Sequence, residues 1–192
     1  MRPAASSLRQ AGIADGGVKH MRSTWPMRAA AAALLTILAG LPADAKPVTV
    51  TPGNPPVTVD VPAAWKASKI DRGIQAKTAD DEVFVWFESY RPAQFKTLLD
   101  EHNAYFKKQG VAITGQGASQ EKDFPTYVVK TTDYPATYEG KRTILRYISV
   151  APKDTTKREL LVSIWASPEG ETTYAADLDT IFKSFRASVE GL

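Results

Sequence analysis

From Val57 onward the chain alternates apolar and polar residues in short runs, and the rhythm changes only twice. Val57-Thr58-Val59-Asp60-Val61 repeats with period two, the mark of a strand with one buried face, and Pro62 closes it ahead of Trp65. Ile74–Thr78 and Glu82–Ser89 read as the arms of a hairpin turning at Ala79-Asp80-Asp81. The second arm is apolar on both sides. Val83, Val85 and Phe87 share one face, and Phe84 and Trp86 share the other. A strand with two apolar faces is covered on both sides.

The first change of rhythm is a helix over 92–109. Phe95, Leu98, Leu99, His102 and Phe106 recur with helical spacing. Pro92 suits its first turn and Gly110 the position past its end. Lys107 and Lys108 fall in the last turn, where the helix dipole favours cations. Strands follow at about 111–121, 126–133, 142–150 and 159–166. Turn signals at 123–125, 138–140 and 152–156 separate them, so these strands form an antiparallel meander. The second change is a closing helix capped by Ser167, with Tyr174, Leu178, Ile181, Phe182 and Phe185 as its apolar face. Strands interrupted by two helices, without strict βαβ alternation, predict an α+β fold with an antiparallel sheet. The two-faced strand adds helices packed on both faces of it, an α/β/α sandwich.

Upstream of this domain the pattern is different. Met21 to Arg28 is basic, Ala29 to Leu41 is a run of thirteen mostly apolar residues, and Pro42-Ala43-Asp44-Ala45-Lys46 follows. A membrane-spanning helix needs about 20 residues. A basic start, a short apolar core and an A-x-A site describe a secretory signal peptide, cleaved between Ala45 and Lys46 with Ala43 at the other small position. No stable membrane anchor is expected after processing. Residues 1–20 have no apolar run and read as an over-extended start, with Met21 or Met27 as the true initiator. Residues 46–56, with four prolines, read as an extended leader holding at most a short edge strand at 48–51; residues 57–187 form one domain and 188–192 a tail.

Cleavage changes the charge picture. Residues 1–45 carry five basic and two acidic residues, and the remaining 147 carry nineteen of each. The net charge of +3 therefore belongs to the precursor. A neutral mature domain has no long-range attraction for a phosphate backbone, so nucleic acid is not an expected partner. The chain has no cysteine, which excludes disulfides, thiolate metal sites and thiol nucleophiles.

Several of these stretches together resemble the PsbP-like fold. They are Val57-Thr58-Val59-Asp60-Val61-Pro62 with Trp65, the hairpin into Val83–Phe87, the helix closing at Gly110, and Ile181-Phe182-Lys183-Ser184-Phe185. The resemblance spans about residues 57–187. That fold is shared by the extrinsic photosystem subunit PsbP, a Ran-binding family and small exported bacterial proteins. What the resemblance implies is a sandwich acting as a binding or accessory module, without a shared catalytic motif to transfer.

Motifs for chemistry are sparse. His102 is the one histidine left after cleavage; Leu98 and Phe106 flank it along the helix, and no local carboxylate orients it, so it reads as a half-buried packing residue and, failing that, a binding candidate. Ser119-Gln120-Glu121-Lys122 matches S-x-x-K but lies in a strand pattern without companion motifs. Asp80-Asp81-Glu82 fits a solvated turn, and Asp177 and Asp179 a water-facing helix surface. Tyr134-Pro135-Ala136-Thr137-Tyr138 reads as a turn-like loop with two exposed rings, which makes Tyr134 and Tyr138 candidates for a contact surface. No catalytic residue, metal site or cofactor is assigned. The expectation is a periplasmic, or else secreted, non-enzymatic binding or accessory protein whose partner is an envelope protein or a small molecule. The alternatives are an envelope hydrolase with a carboxylate or serine site, and a structural envelope protein.

Overall fold

The computed structural model describes residues 44–192. The signal-peptide stretch up to and including Ala43 lies outside the described residues. In chain order the elements are β1 (Ala45–Thr51), β2 (Val57–Pro62), β3 (Lys66–Ile70), β4 (Gly73–Lys77), β5 (Val83–Tyr90), a 3-10 turn (Pro92–Gln94), α1 (Phe95–Lys108), β6 (Val111–Ile113), β7 (Ala118–Asp123), β8 (Tyr127–Tyr138), β9 (Lys141–Pro152), β10 (Glu159–Ala166), α2 (Pro168–Thr173) and α3 (Ala175–Glu190). The fold is α+β and dominated by an antiparallel sheet. Its strands run β3-β4-β5-β10-β9-β8, and both β6 and β7 pair with the outer edge of β8. The chain leaves β5 through α1, reaches the far edge at β6, and returns strand by strand to lay β10 beside β5.

Burial follows the alternation that predicts it. Val83, Val85 and Phe87 join one apolar cluster with Leu178, Ile181 and Phe185 of α3. Trp86 joins a second with Leu98 and Phe106 of α1, and Phe84 packs against it. Ser167 caps α2 as its sequence position predicts: its Oγ accepts from the Gly170 N–H at 2.8 Å.

The small β1–β2 sheet is held by α3. Ser184 and Ser188, one turn apart, accept the N–H groups of Asp60 and Thr58 at 2.8 Å each. Two helix hydroxyls thereby satisfy donors along an open strand edge that would otherwise invite another strand. The predicted leader is consequently more ordered than its prolines suggest, because residues 45–51 form β1 and not merely an edge at 48–51. The predicted tail is also part of the packing: α3 runs to Glu190 and Val189 is buried.

Other elements differ from the sequence pattern. The strand predicted over 111–121 is two strands, broken between Ile113 and Ala118 around Gly115 and Gly117. β3 is absent from the sequence reading, since four of its five residues are exposed and it carries no apolar rhythm. The closing helix is divided at Tyr174 into α2 and α3. Tyr134–Tyr138 is not a loop but the end of β8, paired with β9 along its length and with β6 from Ala136 to Tyr138. Pro135 is tolerated there because proline lacks only the donor; its carbonyl accepts from the Thr114 N–H at 2.8 Å. The turn follows at Glu139-Gly140, where φ is 50° and 75°, a two-residue hairpin turn matched to sheet twist.

Candidate functional site

The inner stripe of α1 places Leu98, His102 and Phe106 against the sheet. On β5 the row Phe84, Trp86, Glu88 faces the same cluster, so Glu88 meets His102. His102 is 8% exposed and Glu88 4%, which corrects the half-buried, unoriented reading of the histidine. One Glu88 oxygen is bonded to His102 Nε2, and the other accepts from Arg72 Nε at 3.2 Å. Arg72, from the β3–β4 turn, also pairs with Glu101 on α1. Burial opposes the Arg72 charge, but the hydrogen bonds and fields of Glu101 and Glu88 outweigh it and raise its pKa. The network ties helix, central strand and turn together. Around it the rings of Trp86 and Tyr147 stand edge-on to the imidazole, with centroids at 6.3 and 5.9 Å.

A carboxylate–imidazole pair is the usual support of a general base. Two buried hydroxyls in the same aromatic layer, Tyr147 and Ser163, have no hydrogen-bond partner. Ser163 is fully buried, so no substrate reaches it as a nucleophile. Tyr147 keeps its proton to abnormally high pH, first through burial and then through Tyr134 and Glu88. Tyr134 is half-buried with its ring edge-on to Tyr147 at 5.5 Å. The layer therefore links two of the three sequence-derived candidates, Tyr134 and His102, through Tyr147.

Tyr138 lies elsewhere, in a groove of about 800 Å³ between the ends of α1 and α2. Its floor is made by pairing: Trp165 of β10 and Phe84 of β5 are register partners, stacked at 5.2 Å and 17°. Trp165 Nε1 donates to Thr143 Oγ1 at 3.1 Å, which fixes the indole. Tyr138 stands edge-on to Trp165 at 5.3 Å, and Tyr105 of α1 forms part of the wall. Both tyrosines are more than a third exposed. Burial raises the pKa of Tyr105 against the opposing field of Lys77.

The rim carries Asp80, Asp81, Glu82, Glu139 and Glu169 together with Lys141 and Arg142. Lys77 Nζ sits 5.4 Å over the Phe84 ring and 2.5 Å from Asp81. Asp80 is held below the usual carboxylate range by Thr78 and then by Tyr174, whose hydroxyl donates to it at 2.7 Å. Asp177, expected to face water, instead accepts from Trp65 Nε1 at 2.8 Å. Among the described residues no group of three or more His, Asp or Glu side chains is placed to hold a metal ion. Aromatic faces beside hydrogen-bonding rim groups suit reversible recognition of a ligand or a partner's side chains.

Sequence reasoning missed Glu88, Phe84, Tyr105 and Trp165 as site residues. Glu88 had a usable signal, a charge in a strand otherwise apolar on both faces. The other three are indistinguishable in sequence from core aromatics.

No family model matches the sequence, and no curated protein matches it. Among solved structures, the chain is similar to the cyanobacterial PsbP (CyanoP) of Synechocystis sp. PCC 6803, with a TM-score of 0.52 and 8% identity. That match covers 76% of this chain and 93% of CyanoP. The chain has a PsbP-like fold. It also matches a Pseudomonas aeruginosa protein of unknown function, PA94, at 12% identity and a TM-score of 0.32, over 68% of this chain and 90% of that one. Among the described residues no helix is long and apolar enough to cross a membrane.

Proposed function

We propose that this protein is an exported, non-enzymatic binding or accessory module of the bacterial cell envelope, with the groove around Tyr138 and Trp165 as its contact surface. The single observation that carries this reading is that groove: an aromatic floor fixed by cross-strand stacking, with two tyrosines exposed at its edge. In this reading the sheet is the middle of three layers. Phe87 touches Phe182 and Phe185 of α3, while its neighbour Trp86 touches His102, Tyr105 and Phe106 of α1. Successive strand residues point to opposite faces, which supports a reading with the two helices on opposite sides.

Export rests on the segment upstream of Lys46. Ala45 and Lys46 pair with Pro62 and Val61 of β2, so the proposed cleavage site falls at the start of β1. The hydrolase reading has the His102–Glu88 pair in its favour. Against it, the hydroxyl in its layer that would attack, Ser163, is fully buried.

Native mass spectrometry of the protein isolated from its own cells tests the binding reading. The expected result is a polypeptide starting at Lys46 that retains a ligand or partner, with the retained species lost in Tyr138→Ala and kept in Tyr134→Ala. Retention unchanged by Tyr138→Ala, or turnover of an ester or glycoside that depends on His102, would overturn it.

A further inference from the structure

A second concavity is independent of the aromatic groove. Gln120, Thr131, Ile148 and Val162 form one register row across β7, β8, β9 and β10, and Lys122, Val129, Val150 and Leu160 form the next. At the β10 end these rows lie in the cluster of α3, with Val162 and Leu160 buried. Toward β7, Val129 and Ile148 are only partly buried, and every residue of β7 is exposed. The sheet thus extends beyond the helix that covers it. A cleft of about 500 Å³ remains there, within the usual size of a small-molecule site. Phe182, Phe185 and Val189 of α3 form one wall, Val129, Ile148 and Val150 the floor, and Phe124 the mouth.

The mouth carries two cations. Lys122 Nζ lies 5.0 Å from the Phe124 ring centre and the Arg186 guanidinium 5.4 Å. Arg186 is held by Glu190 at 2.7 Å, but among the described residues no carboxylate lies within ion-pair distance of Lys122. Glu121, the neighbouring residue on β7, also borders the cleft but makes no ion pair with Lys122. A cleft that is apolar inside, with an unpaired lysine among the described residues at its mouth, matches an amphiphile with an anionic head.

We propose that this cleft binds a monomeric single-chain alkyl carboxylate. Its chain lies on Val129, Ile148 and Val150 beneath Phe182, and its carboxylate lies between Lys122 and Arg186. The site lies apart from the Tyr138 groove and does not depend on that groove's function.

Methyl NMR of the protein, titrated with dodecanoate below its micellar concentration, tests the proposal. Saturable shifts at Val129, Ile148, Val150 and Val189 are expected, with dodecyltrimethylammonium binding at least about tenfold more weakly. Lys122→Glu, an exposed change that leaves the core intact, should weaken dodecanoate about tenfold, the value of one charge-assisted contact. Ile148→Trp should fill the cleft and abolish the shifts. Equal affinity for the two headgroups would overturn the proposal. So would dodecanoate binding unaffected by Lys122→Glu, shifts confined to other methyls, or binding to anionic vesicles without uptake of the monomer.

Discussion

Glu88 holds two partners at once, an imidazole and a guanidinium, from a position almost out of contact with water. Removing one member of a buried charged pair leaves its partner desolvated, at a cost of about 3–5 kcal/mol. Glu88→Ala should therefore lower stability by about 3 kcal/mol, read as a fall in the thermal midpoint of roughly 6–12 °C. Glu88→Leu with His102→Leu should recover much of that loss, because the pair's desolvation is removed along with it. A Glu88→Ala protein within about 1 kcal/mol of wild type would show that the contact is not a lock. Only half of this pair was legible in sequence. The spacing of His102 with Leu98 and Phe106 placed it on the inner face of α1. Its partner lies fourteen residues earlier on a strand, and no local spacing rule connects a strand residue to a helix residue beyond a turn.

At the scale of elements, strands with one wet face were readable because alternation records burial. β2 appears where its alternation places it, and β10, buried along nearly its whole length, where its apolar run does. The failures have physical causes. β3 has no buried face to imprint a rhythm, and its pairing with β4 is backbone hydrogen bonding that any sequence can supply. β8 runs through Pro135 because the missing donor costs nothing at a position where the carbonyl is the group being used. Gly73 is the glycine on which the β4–β5 pairing depends. A Cβ there would stand 1.9 Å from the Phe87 carbonyl oxygen, and backbone cannot swing aside as a side chain can. Gly73→Ala is expected to cost at least about 2 kcal/mol, as overpacking against fixed atoms does. Urea denaturation checks this: the midpoint should fall with the slope unchanged. An unshifted midpoint would mean that β4 and β5 are not held at this separation.

For the molecule as a whole, stability without cysteines rests on two apolar clusters that both contain β5. Buried phenols make that stability sensitive to alkali. Burial raises the pKa of Tyr90, with Glu159 adding to it, and burial likewise raises that of Tyr147. Both groups stay protonated in the fold and ionise near pH 10 once unfolded. Above pH 10 the unfolded state binds fewer protons, so stability should fall as pH rises, by about 1.4 kcal/mol per unit for each group. Absorbance at the tyrosinate band should then show these two phenols titrating together with loss of structure; ionisation in the intact fold would contradict their burial. The proposed contact surface is the groove of Tyr105, Tyr138 and Trp165. Hydroxyl-radical footprinting tests it most directly, comparing the purified protein with the same protein in an extract of the cells that make it. Oxidation of Tyr105, Tyr138 and Trp165 should fall in the extract while that of other exposed side chains is unchanged. Protection confined to other surfaces, or none at all, would contradict it.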